Sequence, residues 1–126
     1  MIVTLYTFYH GTTLSDALDI VQHGLDPKKL LALQTRPTQL GKGFYATFEP
    51  DIAWFFASLV AETFDDHCAI VEITISQNKL EYLLNVDQAR IEPIHNVPFM
   101  GKQVWFALES FDYLNQHATF IPYQGD

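Results

Sequence analysis

The sequence predicts an α+β fold with a mainly antiparallel sheet, built as a single domain over residues 1–126. Three observations predict it. β-Branched and aromatic residues crowd into short runs, the first being Ile2 to Tyr9. Two segments read as helices, one after Ser15-Asp16 and one from Pro50. These strands and helices do not follow the regular βαβ order of a parallel sheet. With 48% hydrophobic and 17% charged residues, the 126-residue chain has the composition of one globular core.

Each element has a local reason. Ile2 to Tyr9 reads as a strand. Ser15 is the expected N-cap of the first helix, and Asp16 and Asp19 suit its positive end. Ala17, Ile20 and Val21 form its apolar face, and Gly24 after His23 ends it. Leu25 to Leu40 lacks a period and contains Pro27 and Pro37, so it reads as a long loop with one helical turn at Lys28 to Leu33. Gly43 to Thr47 is a short strand. Pro50 opens a helix to Thr63, apolar almost all round and so expected to be buried on most sides. Ala69 to Ile75 alternates, with Val71, Ile73 and Ile75 on one face and Ile70, Glu72 and Thr74 on the other. Leu80 to Val86 is short and apolar. Ile91 to Phe99, with Pro93 and Pro98, reads as a loop. Gln103 to Leu108 is a strand, Ser110 caps a helical turn to Asn115, and Ala118 to Tyr123 is the last strand.

The net charge of -8 excludes a general attraction to phosphate backbones or anionic membranes. The few cations are concentrated: Lys28, Lys29, Arg36 and Lys42 form a local basic stretch. Cys68 is the one cysteine, so no disulfide can form within the chain and a cytoplasmic setting is expected. The first residues read as a strand rather than a signal peptide, and no apolar run approaches the roughly 18 residues of a membrane span. His67-Cys68 with His95 or His117 lacks the paired spacing of a zinc site, so no metal is expected.

Two short motifs carry chemical interest. Tyr9-His10-Gly11-Thr12 closes the first strand, and Gly41-Lys42-Gly43-Phe44-Tyr45 opens the second. Alone, each reads as a turn and a strand. The lysine motif is not a phosphate-binding GxxxxGK[ST] loop, and no third glycine makes it a dinucleotide fingerprint. In this order, with a helix ending in Gly-Leu between them and an apolar helix after, they resemble the ADP-ribosyltransferase superfamily. The likeness is to its His-Tyr-Glu branch, that of diphtheria-toxin-like enzymes and poly(ADP-ribose) polymerases. It is closest to small bacterial ADP-ribosyltransferase-like domains, matched by Gly41 to Ile73 and by Gln103-Val104-Trp105-Phe106.

The resemblance implies split antiparallel sheets with two main helices flanking an NAD cleft. NAD would be a substrate, with nicotinamide released and ADP-ribose passed to an acceptor that is protein, nucleic acid or small molecule. The catalytic residues implied are His10, Tyr45 and Gln103. His10 would bond a ribose hydroxyl of the adenosine half, assisted by Thr12. Gly11 would offer its N–H and C=O to the nicotinamide carboxamide, and Tyr45 would stack on the nicotinamide ring. Gly43 and Phe44 belong to the same wall, Phe55 or Phe56 would close the other side, and Arg36 would take the pyrophosphate. At the strand start where the branch carries glutamate, this chain has Gln103, with Glu109 at the far end as its rival. A glutamine keeps the hydrogen bond but not the charge that stabilises an oxocarbenium-like transition state. The alternative is therefore an NAD or ADP-ribose binding module. An RNA 2′-phosphotransferase on the related fold needs a basic cleft, which the net charge opposes. A toxin-like role with an inhibitor or antitoxin partner also follows from the resemblance.

Overall fold

The computed structural model describes residues 2–33, 42–95 and 97–124. Its elements run β1 (Leu5–Thr13), α1 (Leu14–His23), α2 (Pro27–Leu33), β2 (Phe44–Thr47), α3 (Pro50–Phe64), β3 (Cys68–Ser76), α4 (Gln77–Asn85), β4 (Ala89–Pro93) and β5 (Lys102–Phe106). A 3-10 turn at Leu108–Ser110 then leads to α5 (Phe111–His117) and β6 (Thr119–Pro122). The fold is α+β with a six-stranded antiparallel sheet in the order β4-β5-β2-β1-β3-β6.

The sheet is one continuous layer rather than the two separate sheets of the expectation. It nevertheless consists of two blocks. β1, β3 and β6 pair along their lengths, as do β2, β5 and β4. Among the described residues the blocks join at one pair, Tyr9 opposite Thr47.

The two faces differ in what covers them. Phe8, Phe44, Ala46, Val71, Ile73, Ile75, Val104 and Phe106 turn to one face, where they bury against Ala17 and Ile20 of α1, Leu80 and Leu83 of α4, and Phe111 and Leu114 of α5. The rings of Phe8, Phe44, Phe106 and Phe111 meet at centroid distances of 6.2–6.4 Å. Helix α3 covers part of the other face. It buries Ile52, Ala53, Ala57 and Ala61, while Trp54 and Phe64 remain exposed. The expectation of burial on most sides is thus corrected to a stripe of small residues that lets α3 lie close to the strands.

Other boundaries also move. β1 continues through His10, Gly11 and Thr12 to Thr13 instead of ending at Tyr9, because β3 pairs with its whole length. Thr13, not Ser15, caps α1: it is extended, with φ -82° and ψ 158°, and its hydroxyl accepts the Asp16 N–H at 3.2 Å. Ser15 donates instead to Asp66 Oδ2 at 2.7 Å, tying α1 to the turn after α3 and helping to hold the Asp66 carboxyl below its usual range. The expected loop from Ile91 holds most of a strand. Ala89–Pro93 pairs with β5 at the sheet edge, where a terminal proline is tolerated.

Candidate functional site

The His-Gly and Lys-Gly-Phe-Tyr motifs come together at the join between the two blocks. The antiparallel register that sets Tyr9 opposite Thr47 would next set Gly11 opposite Tyr45. Pairing stops there, and a side chain takes over: the His10 ring bonds the Tyr45 carbonyl through Nδ1. A carbonyl can only accept, so the Nδ1 proton makes this bond and neutral His10 keeps an acceptor lone pair on Nε2. Burial holds the His10 pKa below its ordinary value, against the opposing effects of the Asp16 charge and of the bond to Tyr45.

The direction of Gly11's peptide groups follows from its neighbours. The Thr47 hydroxyl, which donates to Glu49 O at 2.8 Å, stands 3.3 Å from Tyr9 O on the β2 side. Leu14 N–H bonds His67 O on the β3 side at 2.8 Å. Peptide groups of alternate strand residues face the same edge. Tyr9, Gly11 and Thr13 therefore turn theirs towards β2, and His10 and Thr12 theirs towards β3. Gly11 lies just past the last β1–β2 pair, so its N–H and C=O face the opening where the strands part. On its other side a Cβ would lie 1.9 Å from Ala53 O and 2.8 Å from Ala57 N. Glycine is required here because α3 rests on the strand.

At Gly43 the space a side chain would need is taken by Trp105, whose Nε1 would be 2.3 Å from a Cβ, and by Phe106 O at 2.5 Å. Trp105 Nε1 also donates to Lys42 O at 3.3 Å. Phe44 is fully buried, its ring 4.1 Å from that of His10, so it packs beneath that imidazole. Tyr45 turns to the opposite face, half-buried, beside Trp105 on β5.

The third motif residue lies one strand further on. Gln103 is opposite Thr47, which is opposite Tyr9, so His10's neighbour, Thr47 and Gln103 form one row across β1, β2 and β5. The row extends on both sides, to Glu72 on β3 and to Glu92 on β4. Gln103 is buried at 6% exposure. Glu109, its rival, is exposed in the 3-10 turn beyond the other end of β5.

Other candidates are not drawn to the join. Phe55 stacks edge-on to Phe56 and Phe99, so its ring belongs to an aromatic cluster at the loop after β4. Lys29 is ion-paired with Asp19 at 2.8 Å. Arg36 and Gly41 lie outside the described residues. Cys68 is exposed and unpaired at the start of β3. Among the described residues no group of three or more His, Cys, Asp or Glu could hold a metal ion, and no helix is long and apolar enough to cross a membrane.

Sequence reasoning passed over Asp16. It accepts a 2.8 Å bond from the Thr12 hydroxyl, and its Oδ2 stands 4.0 Å from His10 Nε2. The signal was present: Asp16 lies one helical turn beyond Thr12 and three residues beyond the capping Thr13. Glu92 lies opposite Gln103 on a strand that the sequence reads as a loop. The chain matches no protein-family model, no curated protein and no solved structure.

Proposed function

We propose that this protein is an NAD-dependent ADP-ribosyltransferase. The observation that carries the reading is the parted junction. His10 takes the Tyr45 carbonyl that a β1–β2 ladder would give to Gly11, and Gly11's peptide pair is left facing the opening. The thin join between the two blocks of the continuous sheet supports this reading, with His10 and Tyr45 on the two strands that flank it and Gln103 on β5, one strand further on. A primary carboxamide, with one donor and one acceptor edge, complements a glycine N–H and C=O presented together.

In this reading Gly11 orients the nicotinamide, and the half-buried Tyr45 ring offers it a flat face. The bond from the ribose anomeric carbon to the nicotinamide nitrogen breaks. Its electron pair goes to that nitrogen and neutralises the pyridinium. The acceptor's nucleophile attacks the cationic ribose carbon and loses its proton. Gln103 holds a ribose hydroxyl without adding negative charge, so stabilisation of the cation is weaker than a carboxylate's. The exposed thiol of Cys68 fits a reducing, cytoplasmic setting.

The test is calorimetry with NAD, followed by mass analysis for nicotinamide release and ADP-ribosylated products. Absence of NAD binding at millimolar ligand would sink the reading. Tyr45→Ala is expected to weaken binding by at least tenfold, as loss of an aromatic stacking partner does. The neutral, buried Gln103 favours a second reading, a module that binds NAD or ADP-ribose without turnover. Gln103→Glu separates the two: a large gain in NAD cleavage marks a damped transferase site, and a loss shows that the amide itself is used.

A further inference from the structure

His10 and Asp16 present acceptors to each other. The Tyr45 carbonyl fixes the His10 proton on Nδ1, so Nε2 offers a lone pair. It stands 4.0 Å from a carboxylate oxygen, too far for a direct bond, with both side chains about nine-tenths buried at 11% and 10% exposure. Thr12 supplies one donor to that carboxylate. A carboxylate accepts at about four sites, so capacity is left on Asp16 as well as on His10. Two buried acceptors side by side call for a ligand with two neighbouring donors.

We propose that Asp16 is a specificity-determining residue, taking the 2′-hydroxyl of the adenosine ribose while His10 Nε2 takes the 3′-hydroxyl, and thereby selecting NAD over NADP. The proposal rests on the NAD reading of the site. A ribose cis-diol carries two O–H donors on adjacent carbons, which meets the demand of the pair. A 2′-phosphate removes one donor and sets anionic oxygens against the carboxylate. The surroundings reinforce the exclusion. Asp16 also lines a surface hollow with Asp19, Asp26 and Lys29, and the lysine is already paired with Asp19. Elsewhere, an acidic side chain on a ribose hydroxyl is how dinucleotide folds choose the unphosphorylated cofactor.

The experiment is calorimetric titration of the full chain with NAD, with NADP, and with an NAD analogue lacking the adenosine 2′-hydroxyl. The wild type should bind NAD at least tenfold more tightly than NADP. Asp16→Asn, of the same shape, should lose about tenfold in NAD affinity and bring the NAD-to-NADP ratio near one. Asp16→Glu should keep the preference. The 2′-deoxy analogue should bind the wild type about tenfold more weakly than NAD, yet bind Asp16→Asn as NAD does, since both changes remove one interaction. An unchanged NAD-to-NADP ratio in Asp16→Asn, with circular dichroism showing the native fold, overturns the proposal and leaves the NAD reading standing. If that variant does not fold, the 2′-deoxy analogue on the wild type decides: equal affinity for it and NAD overturns the proposal. Failure of the wild type to bind either dinucleotide overturns both.

Discussion

Gly11 and Gly43 sit in motifs that look alike on paper, each a glycine beside aromatic and polar residues in a short strand. In the fold they do different work. Gly11 lets a helix backbone rest on β1, with Ala53 O where a Cβ would be. Gly43 accommodates a side chain, the Trp105 indole, although Phe106 O would also lie 2.5 Å from a Cβ there. Neither makes its room for a ligand on the Cβ side. The contrast extends to the next residues: β1 turns its His10 inward onto a ring stack, while β2 turns Phe44 inward and leaves Tyr45 at the surface. Two similar strings of letters thus produce a buried imidazole and a half-buried phenol on opposite faces.

The largest expected effect breaks the support the two motifs share. Phe44→Ala removes a fully buried ring that touches His10, Phe106 and Phe111, and should lower stability by about 3–5 kcal/mol in urea titration. Gly11→Ala comes next. Its methyl would clash with helix backbone, so α3 must shift, at a cost near the upper end of about 1–3 kcal/mol. Gly43→Ala should cost less than Gly11→Ala, because part of its obstruction is a side chain that can turn. Equal losses at the two glycines would erase the distinction drawn between them.

Acid sharpens the same comparison. His10 has a folded pKa below its unfolded value near 6.5. The unfolded chain therefore binds its proton more readily, and the contribution of neutral His10 is full above that value and is lost progressively as pH falls below it and through the lower folded pKa. Thermal melts from pH 7.5 to 5 should show a falling Tm, with the fall reduced in His10→Gln. The smallest effects test the cap of α1. Thr13→Ala should cost about 1 kcal/mol, and Ser15→Ala, whose hydroxyl bonds an exposed aspartate, less than about 0.5 kcal/mol. The reverse order would restore Ser15 as the cap.

Most strands and the two longer helices are legible in the sequence because their signals are local. Val71, Ile73 and Ile75 alternate with Glu72 and Thr74, and Pro50 marks a helix start whatever lies around it. The failures occur where a distant partner decides. β1 runs four residues further than its own letters suggest because β3 is there to pair with His10 through Thr13. Ala89–Pro93 is a strand because β5 offers it an edge, and its proline and charges alone argue for a loop.

The candidate site divides the same way. His10, Tyr45 and Gln103 could be singled out by type and order, since imidazole, phenol and amide each have chemistry that their letters declare. Asp16 looked like a helix-end charge, and only the return of α1 over β1 brings it 4.0 Å from His10. The sequence by itself determined the α+β class, the alternation that sends Phe44 inward and Tyr45 outward, and the residue types at the join, because these depend on neighbours along the chain. Tertiary structure alone decided that β1 and β2 part after Tyr9 and Thr47, that α3 fills the space beside Gly11, and that Trp105 fills the space beside Gly43. Those outcomes turn on close approach between residues tens of positions apart, where sterics and hydrogen-bond competition are settled by packing rather than by local preference.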